Sequence, residues 1–161
     1  MHDIRASTSI IGSHNLSSKS TIGVCCIERL CGVGMDANIA IGCTGGLLNV
    51  LSLRTLSVIA AGTVHQDDIR ALASTTSQGT SKDTSSLESI HLTTSSYDAM
   101  GKVWNLQRNR NGPLELHNCA ILRGHEGKVL SLSGVPGQSA LLSSGADGRV
   151  YLWEHPSIAK Y

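Results

Sequence analysis

Short apolar runs separated by turn-forming residues dominate the chain. Near the C-terminus, apolar residues are concentrated at 129–133, 140–144 and 149–153, with Gly, Pro and Asp residues between these runs. Runs of this length bounded by turn formers are typical of β-strands. No stretch repeats apolar residues with the 3.6-residue period of an amphipathic helix. The pattern therefore predicts an all-β chain with minimal helix.

Two segments share one spacing of polar and aromatic residues. In each segment a hydroxyl residue lies four positions before an aspartate, a tryptophan lies six positions after it, and a histidine precedes the set. The two sets are His65, Thr94, Asp98 and Trp104, and His125, Ser143, Asp147 and Trp153. Recurrence at one spacing indicates a repeated structural unit.

A third, degenerate copy begins at His14. Aligned on its turn, Ile41 takes the hydroxyl position, Gly45 the aspartate position and Leu51 the tryptophan position. The histidines of the three copies are farther apart than the roughly 40–45 residues of a typical four-stranded repeat. We therefore expect enlarged loops.

These residues resemble the WD-repeat family, whose unit runs from a Gly-His pair to a Trp-Asp pair. The last unit runs from Gly124-His125 to Trp153-Glu154, and the middle unit from Val64-His65 to Trp104-Asn105. The resemblance implies an all-β fold, namely a partial WD-repeat β-propeller. Its blades would be four-stranded antiparallel sheets with strands a, b, c and d from the inside outward. The short remainder after Trp153 favours a C-terminal segment of a larger ring.

The resemblance also divides the chain into parts. Residues 1–13 would be the outer strand of a preceding blade or an N-terminal extension, and 14–62 a degenerate blade. Residues 63–123 would be a blade with long loops at 75–87 and 107–116, and 124–161 a final blade in which only 157–161 remain for strand d. The implied strands are 21–28, 38–43, 47–53 and 56–62, then 69–74, 89–95, 102–106 and 117–123, and finally 129–133, 140–144 and 149–153.

A ring of this type closes with about 4–8 blades, more than this sequence supplies. We expect the remaining blades to come from further sequence, from another chain or from self-association, and we prefer the first.

Each set of histidine, hydroxyl and aspartate also has the composition of a catalytic triad. Catalysis would need the hydroxyl to face a substrate cleft, and the sequence contains no Gly-x-Ser-x-Gly elbow. In the WD-repeat family the aspartate binds the histidine, the histidine binds the hydroxyl, and the hydroxyl binds the indole N–H. The resemblance therefore implies two structural tetrads, no catalytic residues and no cofactor. We expect the chain not to be an enzyme.

Composition narrows the functional classes further. The formal net charge is +1 and 16% of the residues are charged, so no basic nucleic-acid footprint dominates. The five cysteines contain no CxxC pair, which favours small buried apolar side chains over a zinc site or a disulfide framework. Neither a signal peptide nor an apolar run of membrane-spanning length is recognisable. We expect a soluble, intracellular chain without a bound metal.

Two surfaces are candidates for partner binding. The face formed by the d–a and b–c loops is expected to carry Asp67, Asp68, Tyr97, Glu126 and Lys128. Tyr97 is the first choice for a contact residue, because exposed tyrosines are enriched at interfaces; the alternative is a solvent-facing turn residue. The opposite face would carry Arg108 and Arg110, which either contact RNA phosphates or lie in a solvated loop.

The leading hypothesis is a scaffold that binds protein subunits of a larger complex. Residues 121–129 resemble part of the WD-repeat subunit of a spliceosomal small nuclear ribonucleoprotein, which implies mRNA splicing in the nucleus through protein contacts. One alternative is a substrate receptor of a ubiquitin ligase, although residues 104–107 lack the Trp-Asp-x-Arg motif. The other alternative is a propeller that binds RNA directly.

Overall fold

Most of the described chain lies in β-strands. The computed structural model describes residues 22–30, 37–76, 90–108, 114–135 and 140–154. The strands are β1 (Val24–Leu30), β2 (Asn38–Cys43), β3 (Leu47–Ser52), β4 (Ser57–Thr63), β5 (Ile69–Thr76), β6 (Ile90–Ser96), β7 (Met100–Arg108), β8 (Leu114–Arg123), β9 (Val129–Gly134), β10 (Ala140–Gly145) and β11 (Val150–Glu154). A 3-10 turn at Thr44–Gly46 joins β2 to β3, and these ranges contain no α-helix. The predicted all-β fold is confirmed.

The strands form three antiparallel sheets in chain order. The first sheet contains β1 to β4, the second β5 to β8, and the third β9 to β11. Four-stranded antiparallel sheets are therefore confirmed in the first two cases. The outer strand predicted at 157–161, the segment 1–13 and His14 lie outside the described residues.

Aliphatic side chains hold the sheets against one another. The core between the first and second sheets includes Leu30, Leu48, Val50, Ile69, Leu92, Leu106 and Trp104. A second core, between the second and third sheets, contains Ala73, Val103, Leu122 and Leu141. Fully burying one such aliphatic side chain contributes about 1.5–3 kcal/mol. The sequence contains no phenylalanine, so branched aliphatic residues fill most of both cores.

The innermost strands lie side by side, as the blades of a ring require. β1 packs against β5, and β5 packs against β9. Between β1 and β5, the Glu28 carboxylate accepts the backbone N–H of Ser74 at 3.0 Å and its hydroxyl at 2.7 Å. This polar contact fixes the spacing of the two strands at their C-terminal ends.

The strands of the second sheet are longer than the sequence predicts. β7 continues to Arg108 and β8 begins at Leu114, so the predicted loop at 107–116 is wrong at both ends. The pairing continues because Leu114, opposite Arg108, is buried in the first core, and Leu116 packs against that core. Burial of these two leucines outweighs the turn-forming residues Gly112 and Pro113 that precede them in the sequence.

Two further boundaries differ from the prediction. β5 continues to Thr76 because Thr75 and Thr76 pair with His91 and Ile90, so the predicted loop at 75–87 starts later; residues 77–89 lie outside the described residues. β1 ends at Leu30 rather than at residue 28 because the side chain of Leu30 is fully buried.

Each innermost strand has a bulge near its beginning. The pairing register shifts between Val24 and Cys26, between Ile69 and Ala71, and where Ser144 and Gly145 pair with Ser131 and Val129. The residues without a direct partner are Cys25, Arg70 and Leu130. A bulge bends the strand and redirects the side chain of the extra residue.

The turn between β2 and β3 contacts the beginning of the second sheet. Gly45 and Gly46 both have positive φ angles, 66° and 73°. The carbonyl oxygen of Gly46 accepts the backbone N–H of Val64 at 2.8 Å. A Cβ atom on Gly46 would overlap the carbonyl group of His65, whereas a Cβ atom on Gly45 would meet open space.

This difference gives a matched pair of substitutions. Gly45→Ala should lower the free energy of unfolding by about 1–2 kcal/mol, the cost of a left-handed backbone with a side chain. Gly46→Ala should lower it by about 3 kcal/mol or more, since steric overlap adds to that cost. Urea denaturation of the two variants measures both values. Equal losses would show that the contact between Gly46 and His65 is not as close as described.

Candidate functional site

The first predicted tetrad forms a continuous hydrogen-bond chain in the second sheet. Trp104 lies on β7, Thr94 on β6, Asp98 in the turn between them, and His65 in the segment before β5. The Trp104 Nε1–H donates to Thr94 Oγ1 over 3.0 Å. Thr94 Oγ1 lies 2.8 Å from His65 Nε2, and His65 Nδ1 lies 2.8 Å from Asp98 Oδ2.

The hydrogen bonds of the first tetrad all run in one direction, from the indole to the carboxylate. An indole N–H can only donate, so the Thr94 oxygen accepts from Trp104. The Thr94 hydroxyl proton then points to His65 Nε2 at 2.8 Å, which is closer than the Lys102 carbonyl oxygen at 3.4 Å, and a neutral His65 that donates from Nδ1 to Asp98 leaves Nε2 unprotonated. The Nδ1–H of His65 donates to the Asp98 carboxylate, which also accepts the backbone N–H groups of Gln66 at 3.1 Å and Met100 at 3.1 Å. Every group in the chain is thereby satisfied.

The second tetrad repeats this arrangement in the third sheet. The Trp153 Nε1–H donates to Ser143 Oγ over 2.8 Å, and Ser143 Oγ lies 2.8 Å from His125 Nε2. His125 Nδ1 lies 2.9 Å from Asp147 Oδ2. The ring of Tyr151 packs edge-on against His125 with the centroids 4.7 Å apart. Both tetrads thus join strands b and c to the loop that leads into the blade.

The hydroxyl groups in these chains are not available to a substrate. The relative exposure of Thr94 is 0% and that of Ser143 is 4%. Each hydroxyl oxygen already accepts an indole N–H, and the imidazole nitrogen 2.8 Å away is the nearest acceptor for each hydroxyl proton. A nucleophile must instead face a space that the reacting carbonyl can enter. In this geometry the triad-like residues act as internal hydrogen-bond partners.

The surroundings of the first tetrad favour a neutral His65 and an ionised Asp98. Burial lowers the pKa of His65 below its ordinary value of 6.5, although the hydrogen bond to Asp98 opposes this effect. Burial raises the pKa of Asp98, but the hydrogen bonds from His65 and two backbone N–H groups outweigh it, so this pKa lies below its ordinary value of 3.8. The unfolded chain therefore takes up protons first, and acidification below about pH 6.5 disfavours the folded state.

The second aspartate is stabilised in its ionised form in the same way. Burial alone raises the pKa of Asp147, but hydrogen bonds from the backbone N–H groups of Arg149 and Glu126 and from His125 lower it to about 2. Because the folded pKa lies below the unfolded value, the stability that this carboxylate contributes is present above about pH 4. It is lost as the pH falls towards 2.

The first sheet has an apolar cluster in place of a tetrad. Ile41, Cys43 and Leu51 are buried together, and Ile41 and Leu51 occupy the aligned hydroxyl and tryptophan positions. Gly45, at the aligned aspartate position, donates its backbone N–H to Asp68 Oδ1 over 2.9 Å. The degenerate copy therefore keeps the strand pairing without the polar chain.

Tyr97 lies beside two cations rather than standing alone in its turn. The Lys128 Nζ is 4.2 Å from the centroid of the Tyr97 ring, and the Arg70 guanidinium carbon is 5.1 Å from it. Arg70 was not among the contact residues predicted from the sequence. It lies within a strand, and the sequence gives no sign of the bulge that redirects its side chain. We call the side chains of Arg70, Tyr97 and Lys128 the Tyr97 cluster.

The other predicted contact residues are distributed around this cluster or lie elsewhere. Asp67 and Asp68 precede β5, and Glu126 forms an ion pair with Arg149 at 3.0 Å. Arg108 is the last residue of β7, and its side chain lies outside the described part of the structure, as does all of Arg110. The expected contact of these two arginines with a partner therefore stays a prediction.

The cysteines differ in their surroundings. Cys43 is buried, whereas Cys119 on the outer strand β8 is exposed, so the expectation of uniformly buried thiols is wrong for Cys119. Burial raises the pKa of Cys26 to about 11, which keeps this thiol protonated and unreactive at neutral pH.

Within the described ranges, no group of three or more metal-ligating side chains comes together. In the same ranges, no helix has the length and apolarity to cross a membrane.

Comparison with known proteins supports the repeat interpretation. Residues 117–154 match the model of the family "WD domain, G-beta repeat". This range extends from β8 to β11, so the sequence repeat combines the outer strand of one sheet with the inner strands of the next. Striatin-4 from Mus musculus is 32% identical over 98 residues, which is 58% of this chain. The chain spans 11% of the length of that relative.

Solved structures show the same architecture. The WD40 repeats of RRP9 superpose with a TM-score of 0.55 and 24% identity, covering 75% of this chain and 31% of that one. A chain of the mitotic checkpoint complex superposes with a TM-score of 0.61 and 17% identity, covering 85% of this chain and 35% of that one. The fold is therefore a partial WD-repeat β-propeller, as the sequence predicts.

The geometry of the tetrads predicts their effect on stability. Asp98→Ala removes a partly buried acceptor of three hydrogen bonds and should lower the free energy of unfolding by about 2–4 kcal/mol. Trp153→Ala should lower it by about 3 kcal/mol through lost packing. Asp67→Ala is the matched control, because Asp67 accepts only an exposed backbone N–H, and should change the melting temperature little. Unchanged melting temperatures for both Asp98→Ala and Trp153→Ala would contradict a stabilising role of the tetrads.

Proposed function

We propose that this chain is a non-catalytic scaffold that mediates protein–protein interactions in a multi-subunit complex. The observation that carries this proposal is the complete internal use of both hydroxyl–histidine–aspartate sets. Thr94 and Ser143 are buried and already hydrogen-bonded. The two triad-like sets therefore stabilise the blades and do not face a substrate. The exposed loops that surround them are left as the surface for partners.

Exposed apolar side chains on the third sheet also support an assembly. Val150 and Leu152 on β11 are 68% and 57% exposed, and Leu142 lies directly opposite Leu152 on the same face. A contiguous apolar face of this kind is unfavourable in water unless another surface covers it. In the proposed assembly the remaining blades, from further sequence or from another chain, cover this face.

The finer form of the proposal is a ribonucleoprotein of RNA processing or splicing in the nucleus. Its support is the resemblance of residues 121–129 to part of the WD-repeat subunit of a spliceosomal small nuclear ribonucleoprotein. These residues run from the end of β8 to the first residue of β9. Glu126 and Lys128 in this run are exposed. In this proposal they contact protein subunits, and RNA is bound by those subunits.

Purification of the tagged chain from its native cells tests the scaffold proposal. We expect a reproducible set of protein subunits that remains bound after ribonuclease treatment, with no hydrolysis of a simple ester such as p-nitrophenyl acetate above background. Loss of every subunit on ribonuclease treatment would support direct RNA binding instead. Recovery of ubiquitin-ligase subunits would support the receptor alternative.

A matched pair of variants tests the absence of catalysis. Ser143→Ala removes a tetrad hydroxyl, and Ser131→Ala removes an exposed hydroxyl from β9. Any ester hydrolysis should be equally low in both variants and in the unchanged chain. Turnover that is lost in Ser143→Ala and retained in Ser131→Ala would overturn the non-catalytic assignment.

A further inference from the structure

The Tyr97 cluster is assembled from three separate chain segments. Tyr97 comes from the turn between β6 and β7, Arg70 from the bulge in β5, and Lys128 from the residue before β9. The cluster therefore crosses the boundary between the second and third sheets, on the face that carries the d–a and b–c loops. Both cations lie within about 5 Å of the aromatic ring, the distance at which a cation–π attraction acts.

Hydrogen bonds fix the turn that carries Tyr97. The backbone N–H of Tyr97 donates to the carbonyl oxygen of Asp68 over 3.0 Å, which ties the turn to the segment before β5. The same turn is held from below by Asp98 and its tetrad. Because the turn that carries Tyr97 is already positioned, ordering of this turn would cost a partner little conformational entropy on binding there.

The acidic neighbours of the cluster have other hydrogen-bond or ion-pair partners. Asp68 Oδ1 accepts the Gly45 N–H over 2.9 Å, Asp67 Oδ1 accepts the Asp68 N–H over 2.8 Å, and Glu126 pairs with Arg149. Among the described residues, neither Arg70 nor Lys128 forms an ion pair with a carboxylate. Two adjacent cations with hydrogen-bond donors thus face outward beside an aromatic ring.

We propose that the Tyr97 cluster binds an acidic peptide segment of a protein partner. Arg70 and Lys128 donate hydrogen bonds to its carboxylates, and the Tyr97 ring packs against the adjoining peptide. Charge-assisted bonds from arginine to a carboxylate are stronger than neutral ones, and Tyr and Arg are the residues most often found at interface hot spots. This inference rests on the proposed scaffold function and specifies the chemistry of one partner.

The surroundings favour a peptide over RNA. An RNA strand needs a continuous basic groove that follows its phosphates, whereas here two cations are flanked by the carboxylates of Asp67, Asp68 and Glu126. These carboxylates would repel the phosphates on either side of the cluster. A peptide can present two acidic side chains to the cations and uncharged residues to the flanks.

Fluorescence anisotropy with the 161-residue chain tests the site. The probes are a labelled peptide with two Glu residues between flanking Gly and Ser residues, the same peptide with Gln in place of Glu, and an oligouridylate of similar length. We expect binding of the Glu peptide only, weakened about tenfold or more by the double variant Arg70→Gln and Lys128→Gln. Tyr97→Ala should also weaken it.

The control is a double variant with the same change in net charge on the opposite face. Arg29 lies near the end of β1 and Arg54 in the turn between β3 and β4, and both are exposed. Arg29→Gln with Arg54→Gln should change the affinity by less than about twofold, since exposed charges at that distance are screened. Unchanged thermal melting of all variants shows that they are folded.

Three results would overturn the proposal. They are absence of binding of the Glu peptide, equal weakening by the two double variants, or binding of the oligouridylate that is lost in the Arg70 and Lys128 variant. Failure of the site remains distinguishable from failure of the scaffold function. If subunits still co-purify while the Glu peptide does not bind, the scaffold stands and the site is wrong. If the Glu peptide binds but no subunits co-purify, the scaffold proposal is wrong.

Discussion

A tryptophan indole that is removed from water still carries an N–H donor, which costs about 1–3 kcal/mol if it has no acceptor. In the second and third sheets, the acceptor is the hydroxyl of Thr94 or Ser143. That hydroxyl must in turn place its own proton, and the adjacent histidine receives it. The histidine then needs an acceptor for its other nitrogen, which an aspartate supplies. The chain of requirements ends at backbone N–H groups in the loops, so it ties the buried strands to the exposed face.

In the first sheet the hydroxyl, aspartate and tryptophan positions are all replaced together. Leu51 occupies the tryptophan position and has no donor, so no hydroxyl is needed at position 41, where Ile41 packs instead. No aspartate is then needed at position 45. Gly45 uses the space for a tight turn that contacts Asp68 of the next sheet. A blade can therefore be held by aliphatic packing when the hydroxyl, aspartate and tryptophan of the tetrad are all replaced.

Much of the fold and the tetrad geometry could be predicted because the resemblance to the WD-repeat family implies the strand order and the hydrogen-bond partners, which the spacing of Thr94, Asp98 and Trp104 locates in this chain. The interval from Asp98 to Trp104 fixes which residues share one face of adjacent strands, whatever the rest of the chain does. Long-range packing set the remaining features. The burial of Leu114 extended β8 into a predicted loop, and a bulge at Arg70 moved a strand residue next to Tyr97. Neither event leaves a periodic signal in the sequence.

The indole N–H groups report on the central interaction directly, because Trp104 and Trp153 are the two tryptophans of the sequence. Hydrogen–deuterium exchange followed by NMR at neutral pH measures how firmly each N–H is held. The account predicts that both indole protons exchange much more slowly than those of a free indole, and that the more deeply buried Trp104 is the slower of the two. Exchange of both protons at the free rate, while the backbone amides of β6 and β7 remain protected, would contradict it.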